Sequence, residues 1–258
     1  MSLNFDTGLQ DERNKAAFRE TKNFGELCKL LSNEHDLEKL IEATRISARR
    51  QIRTRQTYKK ELRRPRTVAA AQPESRLERA LWILWGLHKS CKKNPEFLKQ
   101  CPHIVSYQVP LYNSSNKEDR DGWGKIDVVG VASEDLTPVV IELKADRSDE
   151  SLLRMVLEAV AYGIGLKEAW EPRFLQDWKG ALGELASADS SLINRESLEG
   201  LPAILNICRI LCVAPPEYWN NHDEDSKCEE FKTILRHLSK KGFVVNFVKL
   251  EVVKFVLT

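Results

Sequence analysis

Two apolar runs near the middle of the chain, Ile126 to Val131 and Val139 to Leu143, flank the short polar segment Ser133-Glu134-Asp135-Leu136. Both runs are rich in β-branched residues and bounded by turn formers, so they predict an antiparallel hairpin. Strand alternation sets Ile126, Val128, Val139, Ile141 and Leu143 on one face and Val129, Val131 and Val140 on the other. A sheet apolar on both faces is covered on both faces. Around this hairpin the pattern predicts helices over Pro73 to Leu81 and onward, over Leu152 to Leu166 and over Cys228 to Ser239. Ile207 to Ala214 reads as a strand, and Phe243 to Leu257 as a long strand or strand pair. Upstream, Leu27, Leu30 and Leu31 fit one helical face, and Leu37, Leu40 and Ile41 open a further helix. Trp170, Phe174 and Trp178, four residues apart, make an aromatic stripe expected to face the core.

Three ionisable residues interrupt the hairpin: Asp127, Glu142 and Lys144. With the turn centred between Glu134 and Asp135, Val131 pairs with Pro138, and four steps back along each strand Asp127 falls opposite Glu142. Opposed residues have Cβ atoms roughly 4.5–5.5 Å apart, so both carboxylates reach one cation. Burial of carboxylates in an apolar sheet is costly without a partner. A hard divalent ion such as Mg²⁺ removes their repulsion and leaves positions open for a phosphate. Lys144, on the same face as Glu142, supplies a movable positive charge.

An acidic helix, a strand carrying Asp, a strand carrying Glu-x-Lys and a following helix occur in that order. In this the chain resembles the PD-(D/E)XK nuclease superfamily, and the motif residues run from Glu74 to Leu166. The resemblance implies an α/β fold with a restriction-endonuclease-like mixed β-sheet core flanked by helices, here with a helical N-terminal extension. It also implies a metal-facing Glu on the first core helix; Glu74 and Glu78 lie one turn apart and either matches, with Glu78 preceding the denser apolar run. Part of the superfamily carries Gln-x-x-x-Tyr on the later helix, where this chain has Glu158 and Tyr162. The proline of the family motif is replaced, since Lys125-Ile126 precedes Asp127. On this resemblance Asp127, Glu142, Glu78 and the carbonyl of Leu143 are expected to hold Mg²⁺, with Mn²⁺ able to substitute, and Lys144 to position the attacking water.

Charge adds a second region. Overall the chain is nearly neutral, at +2 from 40 basic and 38 acidic residues, yet Arg45 to Arg66 holds ten basic residues against one acid. Arg49, Arg50, Arg53, Arg55, Lys59, Lys60, Arg63 and Arg64 thus form a candidate nucleic-acid-binding arm. Pro65 and Ala69-Ala70-Ala71-Gln72-Pro73 mark a linker, placing a boundary near residue 70. The expected division is a basic helical region over 1–70 and a nuclease-like domain over 71–258. Six cysteines without a Cys-x-x-Cys pair, no signal-like start and no apolar run long enough for a bilayer predict reduced thiols, no membrane partner and a cytoplasmic protein.

The expected activity is Mg²⁺-dependent hydrolysis of DNA phosphodiester bonds, in repair, restriction, mobile-element or defence settings. Homodimerisation would suit double-strand cleavage. The rival expectation is a nuclease fold without catalysis, serving as a nucleic-acid-binding or regulatory subunit.

Overall fold

The computed structural model describes residues 3–19, 23–54, 73–85, 101, 103–111, 125–132, 134–146, 148–188 and 198–250. The chain is a mixed α/β protein whose single five-stranded sheet is flanked by helices. Helices α1 (Glu12–Arg19), α2 (Phe24–Leu31), α3 (Glu34–Thr54) and α4 (Pro73–Trp85) precede the sheet. Strands β1 (His103–Pro110), β2 (Lys125–Val131) and β3 (Pro138–Leu143) form an antiparallel meander. Helix α5 (Leu152–Ala169), a π-helical turn at Trp170–Phe174 and α6 (Leu175–Ala188) lead to β4 (Cys208–Ala214), parallel to β3. Helices α7 (Pro216–Asn221), α8 (Asp223–Lys227) and α9 (Glu229–Lys240) then return the chain to β5 (Phe243–Lys249), parallel to β4. Strand order is sequential, β1 to β5.

The hairpin register is the one its pattern predicts: Val131 pairs with Pro138 and Val128 with Ile141. At the turn, Ala132 N–H donates to Thr137 O at 2.9 Å, and Asp135 Oδ1 accepts from both the N–H and the hydroxyl of Thr137. Leu136 takes a positive φ of 58°, the left-handed region that side chains rarely adopt.

Alternation sorts the sheet's side chains into two layers. Val128, Val139, Ile141 and Leu143 pack with Leu77 and Leu81 of α4, while Val129, Val131 and Val140 pack with α5 and the N-terminal helices. Ile126 departs from its expected partners and joins the α5 side. Leu27, Leu31, Leu37, Leu40 and Ile41 belong to that same cluster, so the N-terminal helices share a core with the sheet. Leu30, expected on the buried face of α2, is 37% exposed.

Helix α5 is apolar nearly all round because it is covered on nearly all sides, by β3, β4 and α3. Ser151 caps it, its side-chain oxygen accepting from Arg154 N–H at 3.1 Å. Gly163 lets it close onto β4; a Cβ there would lie 2.8 Å from Cys208 Sγ. The aromatic stripe is core, as expected: Trp170, Phe174 and Trp178 are buried, and both indoles donate to carbonyls, of Pro202 and Leu136. Among the described residues five cysteines are free, and no helix is long and apolar enough to cross a membrane.

The boundary expected near residue 70 lies outside the described residues, as do Arg55, Lys59, Lys60, Arg63 and Arg64. So does the end of the last predicted strand, from 251 onward.

Candidate active site

One step beyond the Val128–Ile141 pair, the β2–β3 register sets Asp127 opposite Glu142. There a side chain takes over from the backbone ladder. Asp127 Oδ2 accepts from Leu143 N–H at 2.9 Å, which ties its carboxylate to the end of β3. On the other edge of β3, Lys144 N–H donates to Val213 O, so the strand end is held from both sides.

Glu142 and Lys144 point to the α5 face and are almost wholly enclosed, at 2% and 4% exposure. Lys144 Nζ lies 2.9 Å from Glu142 Oε1, 2.8 Å from Glu150 Oε2 and 3.6 Å from Glu158 Oε2. Arg154 braces the outer two carboxylates, with Nε 3.1 Å from Glu150 Oε1 and Nη2 3.4 Å from Glu158 Oε2. Tyr162 donates its hydroxyl to Glu158 Oε1 at 3.2 Å, and the buried Tyr218 donates to the carbonyl of Glu150 at 3.1 Å. Glu150, Arg154, Glu158 and Tyr162 thus form a stripe at four-residue steps, three of them on one face of α5.

Helix α4 brings both of its acids to this cluster, on different sides. Glu78 is buried, and its negative charge acts on Asp127. Glu74 accepts from the N–H of Ala145 and feels the charges of Lys144 and Glu150. Spacing alone left these two as alternatives, and both lie within electrostatic reach of the cluster.

Burial dominates the electrostatics of the cluster, and the neighbouring charges modify it. Burial pushes the Asp127 carboxyl well above the usual range; Lys144 counters this and Glu78 adds to it. Asp127 keeps a partly accessible edge, but protein atoms crowd its carboxyl, and crowding governs its charge. Burial likewise raises Glu142, and the neighbouring Asp127 raises it further. For Lys144, burial favours the neutral amine, yet Glu142, Glu158, Glu150 and Asp127 outweigh it and hold the ammonium form. Glu150 is lowered: burial opposes ionisation, but Lys144 and Arg154 overcome it. Burial, then Glu158, keeps Tyr162 protonated far above the ordinary tyrosine range.

Glu142 Oε2 is buried with no hydrogen-bond partner. A buried, unsatisfied carboxylate oxygen beside a second carboxylate is a donor set that suits a hard cation. Among the described residues, no three His, Cys, Asp or Glu side chains already stand in a cation-holding cage. Instead the ammonium of Lys144 rests against Glu142.

Of the residues predicted for a basic arm, Arg49, Arg50 and Arg53 are on the described part of α3. Arg49, on α3, is paired with Glu168, its Nε 2.7 Å from Oε2, and Arg45 lies 3.4 Å from the same carboxylate. Glu168 sits ten positions beyond Glu158, about 15 Å farther along the helix axis. Arg50 is exposed on α3, and Arg53 closes that helix.

Sequence reasoning missed Glu150 and Arg154. Their signal was the four-residue repeat running through to Tyr162. It also missed that the N-terminal segment reaches the site: Arg154 Nη1 donates to Lys15 O at 2.9 Å, and Ser151 Oγ donates to Phe18 O at 2.8 Å. Leu9, Gln10 and Phe18 line a small cleft there with Arg154, Leu157 and Glu158.

Compared with protein-family models, curated proteins and solved structures, the chain gives no match in any of the three.

Proposed function

We propose that the chain is a divalent-metal-dependent nuclease of restriction-endonuclease-like architecture that hydrolyses DNA phosphodiester bonds. The observation that carries the reading is the pairing of Asp127 with Glu142 across the hairpin, with Glu142 Oε2 buried and without a hydrogen-bond partner. Among the described residues Asp127, Glu142 and Glu158 gather about Lys144 and Arg154, so carboxylates outnumber the cations beside them. The pKa values of Asp127 and Glu142 are raised first by burial and then by neighbouring carboxylates, and together with the orphaned Oε2 this is a setting that a bound cation would relieve.

Asp127, Glu142 and Glu78 would hold Mg²⁺, or Mn²⁺ in its place, with the Leu143 carbonyl as a further oxygen ligand. Bound there, the ion would neutralise the carboxylates, polarise the phosphate and lower the pKa of a water beside the phosphorus. Leu143 N–H fixes the orientation of Asp127. Lys144, held as an ammonium, acts as a hydrogen-bond donor rather than a base: it orients the water and stabilises charge growing on the phosphate oxygens. Glu158 and Tyr162 steady Lys144 from α5. DNA as the substrate and a homodimer for double-strand cleavage belong to the same proposal.

The test is cleavage of supercoiled and linear DNA by the purified chain, with Mg²⁺, with Mn²⁺ and with EDTA. Metal-dependent cleavage that Asp127→Asn abolishes is expected. Metal-independent cleavage, or none by the wild type with either ion, would overturn the reading.

A further inference from the structure

We infer that Arg154 is a positioning residue that holds Lys144 in place through Glu150 and Glu158. The inference rests on the nuclease reading for what Lys144 does, but its structural content is separate. Lys144 is the first residue after β3, with four bonds of freedom in its side chain, and burial works against its charge. Its position is set by the carboxylates around it. Glu142 arises from the same strand, but Glu150 lies in the segment entering α5 and Glu158 two turns along that helix. Two carboxylates converging on one ammonium repel each other unless something lies between them.

Arg154 lies between them. Its Nε lies 3.1 Å from Glu150 and its Nη2 3.4 Å from Glu158, so one planar guanidinium spans both as an ion contact, without hydrogen-bond geometry at Nε. The group is itself anchored: Arg154 is 7% exposed, and its Nη1 donates to the Lys15 carbonyl at the N-terminal helix α1. Tyr218 and Tyr162 complete the frame from behind, bonded to the Glu150 carbonyl and to Glu158. Among the described residues Arg154 makes its ion pairs with Glu150 and Glu158 and not with Asp127 or Glu142, although the charge of Glu142 is felt at Arg154. It acts on the amine by fixing the two acids that hold it. Lysine in its place would keep one charge but not the fork that spans two carboxylates.

Amine labelling followed by mass spectrometry reads the position of Lys144 directly. In folded Arg154→Ala protein, Lys144 should be modified about tenfold faster or more than in wild type, as a lowered local opening free energy requires. Exposed lysines such as Lys232 should react as before. Arg154→Lys, which keeps the fold if the alanine variant does not, should fall between. In DNA cleavage with Mg²⁺, Arg154→Ala should lose about 100-fold in kcat with little change in KM, the size of effect a misplaced catalytic group gives. Added guanidinium ion should restore part of that loss at unchanged Tm. Wild-type labelling of Lys144 in the folded alanine and lysine variants would overturn the inference. A wild type that cleaves no DNA, with Lys144 labelling still governed by Arg154, would remove the nuclease reading and leave the inference standing.

Discussion

Asp127→Asn tests the charge imbalance without touching the fold. The amide oxygen still accepts the Leu143 N–H that Asp127 Oδ2 accepts at 2.9 Å. What it removes is one negative charge beside Glu142 and Glu78. The change first relieves the burial of a charge, and it sheds repulsion from Glu142 and Glu78 while losing the attraction to Lys144; with charge pairs on the order of 3 kcal/mol at an effective dielectric of about 20, a net relief of about 1–2 kcal/mol is expected. For a chain of this size each kcal/mol moves Tm by about 2–4 °C, so in EDTA the variant should melt about 2–8 °C above wild type. Mg²⁺ should reverse the order. A cation at 100 times its Kd adds about 2.7 kcal/mol to the stability of wild type, and far less to a variant lacking one of its ligands. Differential scanning calorimetry of both proteins, in EDTA and in excess Mg²⁺, reads the crossover. An asparagine variant that melts at or below wild type in EDTA, or a wild type whose Tm ignores Mg²⁺, would refute the reasoning.

Three further outcomes follow from the same structure. Asp127, Glu142 and Glu74 bind protons more tightly folded than unfolded, so without metal the folded state keeps protons that the unfolded state releases above its ordinary carboxyl pKa of about 4. Stability in EDTA should therefore fall as pH rises from about 4 through the folded pKa values, and Mg²⁺ should flatten the slope; urea midpoints across pH that rise in EDTA would contradict this. Lys144→Ala strips the ammonium from between Glu142 and Glu150, and breaking such a buried pair costs about 3–5 kcal/mol, which denaturant titration in EDTA should show as a lower midpoint. Gly163→Ala puts a methyl 2.8 Å from Cys208 Sγ and 3.4 Å from Phe243, an overpacking of about 1–3 kcal/mol; a midpoint equal to wild type would mean that α5 and β4 are less closely packed than described.

The hairpin and its charged face were legible because a period-two pattern fixes both register and side. Once Val131 met Pro138, Asp127 had to face Glu142, and Glu142 and Lys144 had to share a face. Ile126 and Leu30 escaped the same rule, because which neighbour covers a strand end or a helix edge depends on chain distant in sequence. The choice between Glu74 and Glu78 was not legible, since residues one turn apart both reach a site that has acceptors and charges on two sides. Glu150 continues the four-residue repeat of Arg154, Glu158 and Tyr162 but lies one residue before the Ser151 cap, beyond the apolar run that marked α5. The role of Arg154 depends on Lys15, 139 positions away, a contact that no local pattern encodes. The aromatic spacing of Trp170, Phe174 and Trp178 made their burial legible, but not the π turn at Trp170–Phe174 that carries the first two. The pairing of Arg49 with Glu168, 119 positions away, was likewise beyond any local pattern.

The most direct measurement is the conversion of supercoiled DNA by purified wild-type and Asp127→Asn protein, side by side in Mg²⁺ and in EDTA. Nicked or linear product from wild type in Mg²⁺ alone is the predicted result. Equal product from both proteins, or product in EDTA, would contradict the claim that Asp127 and Glu142 hold the cation that cleaves the phosphodiester.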